Sequence, residues 1–308
     1  MTYPLTLFLY HGQELVTRSQ CLSFSLDKEM YTPYDAVSAE FLAEAIDYSL
    51  IDRIAVYHES TCIFQGLADE IRQYHKNHAV FVKIRSKSFT SLLTQNELEP
   101  GLHSNLTAES LLTGFYQFPF VTYENLPGSG YIFVKSGNTM WDGVVSFGYK
   151  LTGHYPFVMQ NHICFSKPQN RPVHSFSINQ ILEYGTMLNT TKLISHYHME
   201  DISANPNAYQ QENPTASALN IVRHKQIPFD NSFRHDPNSA LTFRNLYSKR
   251  AYSSNYLIYD GFSNENLGDS ISFGTLIQNQ MLCRLHASFS TNGFRTTLWC
   301  YQDGFYSS

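Results

Sequence analysis

The stretch SGNTMWDGVVSFGYKLTGHYPFV, residues 136–158, decides how the rest of the chain is read. Trp141, Val144, Val145 and Gly148 fall at i, i+3, i+4 and i+7, the spacing of one stripe along a helix that must bury that face. Thr139 is placed to cap the first turn. Asp142 stands where a carboxylate meets free backbone N–H groups and the positive end of the helix dipole. Gly153 occupies the position of a left-handed C-cap residue, and Pro156 prevents the helix from continuing. A helix with both ends specified locally is therefore predicted, between segments that read mostly as strands.

Upstream, residues 1–100 form a strand-rich unit. Leu5, Leu7 and Leu9 alternate with other residues, as do Leu22, Phe24 and Leu26, and Val80, Val82 and Ile84, each at the period of a half-buried strand. HGQE (11–14) reads as a turn, and Ile54, Val56, Cys62 and Phe64 as a hairpin. Residues 39–48 fit neither helix nor strand cleanly, and 88–94 suit a short closing helix. Such a meander closes most easily as a small barrel or sandwich, because an open sheet leaves unpaired edges.

Residues 101–167 change character. A helix capped by Thr107, a loop-rich connection, the strand YIFVK, the Trp141 helix and a strand pair over 155–165 make a compact α/β module. The breaker cluster KPQNRP (167–172) opens a second strand-rich unit, 168–308. In it, 175–185 and 186–202 read as strands around a turn at Leu188-Asn189-Thr190. Residues 203–216, polar and Pro-containing, read as a long surface loop, and Asn292-Gly293 as a hairpin turn. The expected class is mainly β with α+β elements: two small β-barrel domains, 1–100 and 168–308, separated by the module.

Composition narrows the function. Aromatic and charged residues each make up 15% of the chain, with 21 Tyr and 22 Phe, so few charges remain to solvate a free surface. A charge-poor, Tyr-rich surface suits a lasting protein–protein assembly. The net charge of −5 provides no basic field for a nucleic acid backbone. The one basic stretch, 223–250 with Arg223, Lys225, Arg234, Arg244, Lys249 and Arg250, reads as a solvated face or a contact with an acidic protein. Cys21, Cys62, Cys164, Cys283 and Cys300, odd in number and without a C-x-x-C pair, read as reduced core thiols of a cytosolic protein. The N-terminus lacks a basic n-region and reads as a first strand and not a signal peptide, and no segment is apolar enough for a membrane anchor.

Candidate chemistry is sparse. His196, His198 and Glu200 alternate along one strand face in ISHYHMED, an arrangement that offers two imidazoles to one metal, although strand histidines near a sheet edge have the same pattern. His75 and His78 fall in a hairpin loop. Gly268-Asp269-Ser270 resembles the nucleophile block of some esterases but reads as a turn, and Glu97 with Glu99 or Asp69 with Glu70 are carboxylate pairs without context. No catalytic, cofactor-binding or metal-ligating set is assigned from these residues.

Several segments together resemble the phage tail baseplate hub proteins of contractile-tailed phages, R-type bacteriocins and related contractile injection systems. They are 85–101 (RSKSFTSLLTQNELEPG), 107–120, 137–158 with its NTMWDGVV core, 191–202 (TKLISHYHMEDI) and 283–298 (CRLHASFSTNGFRTTL), in family order. The resemblance implies two similar barrels and a homotrimer whose six barrels form a pseudo-sixfold adaptor. That adaptor would join a hexameric tail tube protein to a trimeric central spike protein at the virion tail baseplate. Tape measure and baseplate wedge proteins are further implied partners. It implies no enzyme activity and no cofactor. The chain shows no β-helical spike, lysozyme or peptidase module, so a puncturing tip and wall-degrading activity are expected on other polypeptides. The competing readings are a tail-associated cell-wall hydrolase, built on His196, His198 and Glu200, and a carbohydrate-binding tail protein using exposed Tyr and Trp.

Overall fold

The computed structural model describes residues 4–229 and 236–306. Period-two alternation produces the first seven strands: β1 (Leu5–His11), β2 (Glu14–Gln20), β3 (Ser23–Glu29), β4 (Ala36–Leu42), β5 (Arg53–His58), β6 (Thr61–Lys76) and β7 (Ala79–Ser88). Leu5, Leu7 and Leu9 on β1 and Leu26 on β3 are fully buried. The ambiguous 39–48 segment is the end of β4 followed by irregular chain that leads into a 3-10 turn at Tyr48–Leu50. The expected closing helix is a 3-10 helix at Phe89–Thr94. β6 runs well past Gly66, and Asn77-His78, both at positive φ, close its long hairpin with β7.

The module consists of β8 (Gly101–Leu106), α1 (Ala108–Gly114), β9 (Thr122–Tyr123), β10 (Gly130–Val134), α2 (Met140–Thr152), β11 (Phe157–Met159) and β12 (His162–Cys164). α2 begins with the expected reciprocal cap between Thr139 and Asp142 and ends at Gly153, φ 72°. Its buried face is Met140, Trp141, Gly143, Val144, Phe147 and Gly148, so Phe147 carries the load expected of half-buried Val145. α2 packs on β10.

The last segment contributes β13 (Val173–Phe176), β14 (Ile181–Leu188), β15 (His196–Met199), β16 (Tyr209–Glu212), α3 (Pro214–Ala218), β17 (His224–Ile227), α4 (Pro237–Lys249), β18 (Ser253–Asp260), β19 (Ser270–Phe273), β20 (Ile277–Met281), β21 (Arg284–Ser290) and β22 (Gly293–Tyr301). Three expectations are corrected here. β14 pairs with the distant β18 and not with the segment after the turn at Leu188. The 203–216 loop contains β16 and the start of α3, because Tyr209–Glu212 pairs with β15 and Asn213 caps the helix. The β21–β22 turn is Thr291-Asn292, with Gly293 just after it at φ 93°.

Eleven strands make one sheet in the order β14–β18–β22–β21–β3–β4–β7–β6–β5–β1–β2. The junction is β21 on β3, with Ala287 opposite Leu26, so the sheet passes from the third segment directly into the first. None of the described sheets closes on itself as a hydrogen-bonded barrel, because the strands that would seal each unit pair across this junction. In the first unit the far edge nevertheless returns toward β4. The Thr17 and Ser19 hydroxyls of β2 donate to the two oxygens of Glu44, just past β4, at 2.5 and 2.7 Å. In the last unit the three-stranded sheet β13–β19–β20 leans on β18, where Asn255 donates to the Leu276 carbonyl and the Gln280 side chain. One apolar core spans both units, and a second surrounds α2 and takes in Tyr31, Phe305 and Tyr306.

Candidate functional site

Among the described residues the long sheet ends in two strands, β14 and β2, each backbone-paired on one side only, and their side chains differ from those of a solvated edge. β14, bonded only to β18, leaves Leu182 53%, Tyr184 50% and Leu188 65% exposed. Val173 and Ile178, just before it, are also exposed. At the opposite end β2 exposes Leu15 and Val16. A free edge presents a row of unused N–H and C=O groups, and isolated proteins usually blunt it with charge, Pro or a bulge. β14 carries one charge, Glu183, whose carboxylate accepts from the Tyr256 hydroxyl at 2.7 Å. Such an edge is chemically suited to another polypeptide strand.

A second feature ties the segments together. Tyr31, Tyr155, Phe243, Tyr247 and Phe305 pack ring against ring, with Trp141 edge-on to Tyr155. The Arg250 guanidinium lies 3.4 Å over the Tyr247 ring. Beside this seam an open groove of about 450 Å³ runs between β10, α2 and α4. In it Lys150 donates to the Tyr131 carbonyl at 3.2 Å, and burial holds its ammonium pKa below the usual lysine value.

The histidines of ISHYHMED are joined by a residue that sequence reasoning missed. β15 pairs in parallel with β17, which sets His196 opposite His224. The His196 and His224 rings stack with centroids 4.4 Å apart, and His198 Nε2 lies 3.0 Å from His224 Nδ1. Glu200 falls beyond the end of β15, where its backbone N–H donates to the Ile227 carbonyl. Among the described residues no group of three or more His, Cys, Asp or Glu side chains stands arranged to hold a metal ion. Nothing in the tetrapeptide His224–Ile227 marks it as a strand, so His224 carried no signal.

Gly268-Asp269-Ser270 is a turn into β19, and buried Asp269 holds both Arg171 and His174 at 3.0 Å, locking β13 to β19. The hydrogen bond to Asp269 raises the His174 pKa above the usual imidazole value, against the opposing effect of burial. His75 ends β6 and His78 sits in its turn. Asp69 accepts from the Lys87 N–H, Glu70 pairs with exposed Arg85, and Glu97 and Glu99 offer only their carbonyls, to Tyr116 and His103. In the basic stretch, Arg223 bonds the carbonyls of Thr190 and Leu193, and Arg234 lies outside the described residues. Cys21, Cys164, Cys283 and Cys300 are buried free thiols, Cys62 is half-buried, and burial pushes Cys21 and Cys283 up to about 12. No described helix is long and apolar enough to cross a membrane.

This arrangement, two strand-rich units sharing one sheet beside a helical module, is the fold of phage tail proteins. The tail protein from Neisseria meningitidis MC58 superposes with a TM-score of 0.73 at 14% identity, over 99% of this chain and 98% of that one. The 43 kDa tail protein of prophage MuSo2 from Shewanella oneidensis gives 0.69 at 10% identity, over 96% and 98%. An E. coli type VI secretion component, described as similar to the T4 bacteriophage tail proteins gp27 and gp5, gives 0.58 at 10% identity, over 98% and 77%. No family profile and no curated protein matches the sequence. The resemblance to baseplate hub proteins read from the sequence is met at the level of the fold.

Proposed function

We propose that this chain is a structural hub subunit of a phage tail or phage-tail-like particle. In this reading it acts as a homotrimeric adaptor between a hexameric tail tube and a trimeric central spike, without catalysis of its own. The observation that carries the reading is the duplication of strand-rich units. β1–β7 form one set of seven, and β13, β14 and β18–β22 form another; the first set and β14, β18, β21 and β22 of the second share the eleven-stranded sheet, while β13, β19 and β20 make a separate small sheet. The bonds from Thr17 and Ser19 to Glu44 in the first set and from Asn255 to Gln280 in the second support reading each set as a rolled, barrel-like unit. Three such chains in a ring present six comparable units to a sixfold partner while keeping threefold symmetry. The apolar edge at β14 and the low charge density support a permanent interface. The tail-protein fold over nearly the whole chain supports a location in the virion tail.

Co-expression with the tail tube and spike proteins of the same particle, followed by native mass spectrometry, tests this. The expected product holds three copies of this chain per trimeric spike. A chain that associates with neither protein, or a complex holding a single copy of this chain per spike trimer, would overturn it.

A further inference from the structure

The outer face of the small sheet β16–β15–β17 holds a constellation that the tail role does not use. Paired residues of adjacent strands share a face, so Glu212, His196 and His224 form one row and Gln210, His198 and Gln226 the next. The opposite face buries Tyr197 and Met199 against Leu241 of α4, so the histidines are not core residues. We propose that His198 and His224 form a binding site for a divalent transition-metal ion that staples β15 to β17.

The argument starts from one distance. His198 Nε2 and His224 Nδ1 approach to 3.0 Å with their rings 11° from parallel. Two imidazole nitrogens each about 2.0–2.1 Å from a common ion and 3.0 Å from each other subtend an angle of about 94° at that ion. This is the cis angle of a tetragonal or octahedral centre and is narrower than the tetrahedral angle preferred by structural zinc. The chemistry therefore favours Ni2+ or Cu2+, with water completing the coordination. His198 Nδ1 is enclosed without a partner, whereas Nε2 shares a hydrogen bond with His224 Nδ1, so an ion bound by the pair would displace that shared hydrogen. His196, stacked on His224, limits that ring's rotation, and Glu212 is the carboxylate on the same face. Two donors explain why no three-residue metal cluster is found, while the pair alone can still chelate.

The test uses the full chain without a histidine tag, titrated calorimetrically with NiCl2 and with CuCl2 at neutral pH. One ion per chain is expected, with binding weakened more than about tenfold in either His198→Ala or His224→Ala. The His75→Ala/His78→Ala variant should bind as the parent does. His224→Gln, at an exposed position, guards against loss of fold, checked by circular dichroism. Absence of binding, or binding that survives both single substitutions, would overturn the site. So would loss in the His75/His78 variant alone.

Discussion

Trp141 donates its indole N–H to the Tyr155 hydroxyl at 3.3 Å, and both residues are 5% exposed. The Tyr155 carbonyl in turn accepts from the hydroxyl of Tyr306, while its ring packs against Tyr31, Tyr247 and Phe305. The helix on which the sequence reading turns is thereby tied to β3's exit, to α4 and to the C-terminal residues. Truncating Trp141 to Ala removes an aromatic side chain from a packed core and is expected to cost about 3–5 kcal/mol. Trp141→Phe keeps most of the packing and loses the hydrogen bond, so its cost should be smaller, about 1–2 kcal/mol. Urea denaturation of the purified variants measures both.

Lys28 and Asp35 are buried at 2% and 3% side-chain exposure, 3.8 Å apart, with Lys28 also donating to Asn266. Burial raises the Asp35 pKa and Lys28 opposes that shift. Lys28→Met leaves a buried carboxylate unpaired and should destabilise by about 3–5 kcal/mol, whereas Lys28→Met with Asp35→Leu should recover most of the loss. A carboxyl whose folded pKa is raised contributes stability at low pH that is lost as pH rises through that pKa. The single variant should therefore lose more relative to the parent at neutral than at acidic pH.

His174, raised by its hydrogen bond to Asp269, has the same sign of linkage and is tested by removing the titrating group itself. Its contribution is complete below the ordinary imidazole pKa of about 6.5 and fades as pH rises through the higher folded value. The stability difference between the parent and His174→Gln should accordingly be larger near pH 6 than near pH 8. Thermal melts across that range provide the readout.

The β14 edge separates folding from assembly. Leu182→Lys and Leu188→Lys change exposed side chains, so the isolated chain should keep its stability to within about 0.5 kcal/mol. A charge on each of these positions blunts the edge as an interface. Both variants should fold, by circular dichroism, and fail to enter the trimeric complex, by native mass spectrometry.

Local signals account for what could be read from the sequence. α2 was specified by its own caps and stripe, and β1, β3 and β7 by alternation over buried Leu, Phe and Ile. The misses share a different cause. The outer half of β6 and the strand β17 are polar and exposed, so neither shows period-two burial. α4 buries Asn245 and Ser248 beside Leu241, which hides its helical face in a sequence of low hydrophobicity. β14's partner, β21's junction with β3 and the Arg171–Asp269–His174 cluster join residues far apart in the chain, and no pattern within one segment encodes such pairings. Gly66 shows the same limit: a Cβ there would collide with the Lys87 carbonyl oxygen, a close approach visible only once β6 and β7 are paired.

Electron cryo-microscopy of the native particle, with this chain located in the density, tests the symmetry-adaptor role most directly. Three copies arranged as one ring between tube and spike, each offering two strand-rich units to the sixfold side, is the predicted result. Six copies, a single copy, or a position away from the tube–spike junction would contradict it.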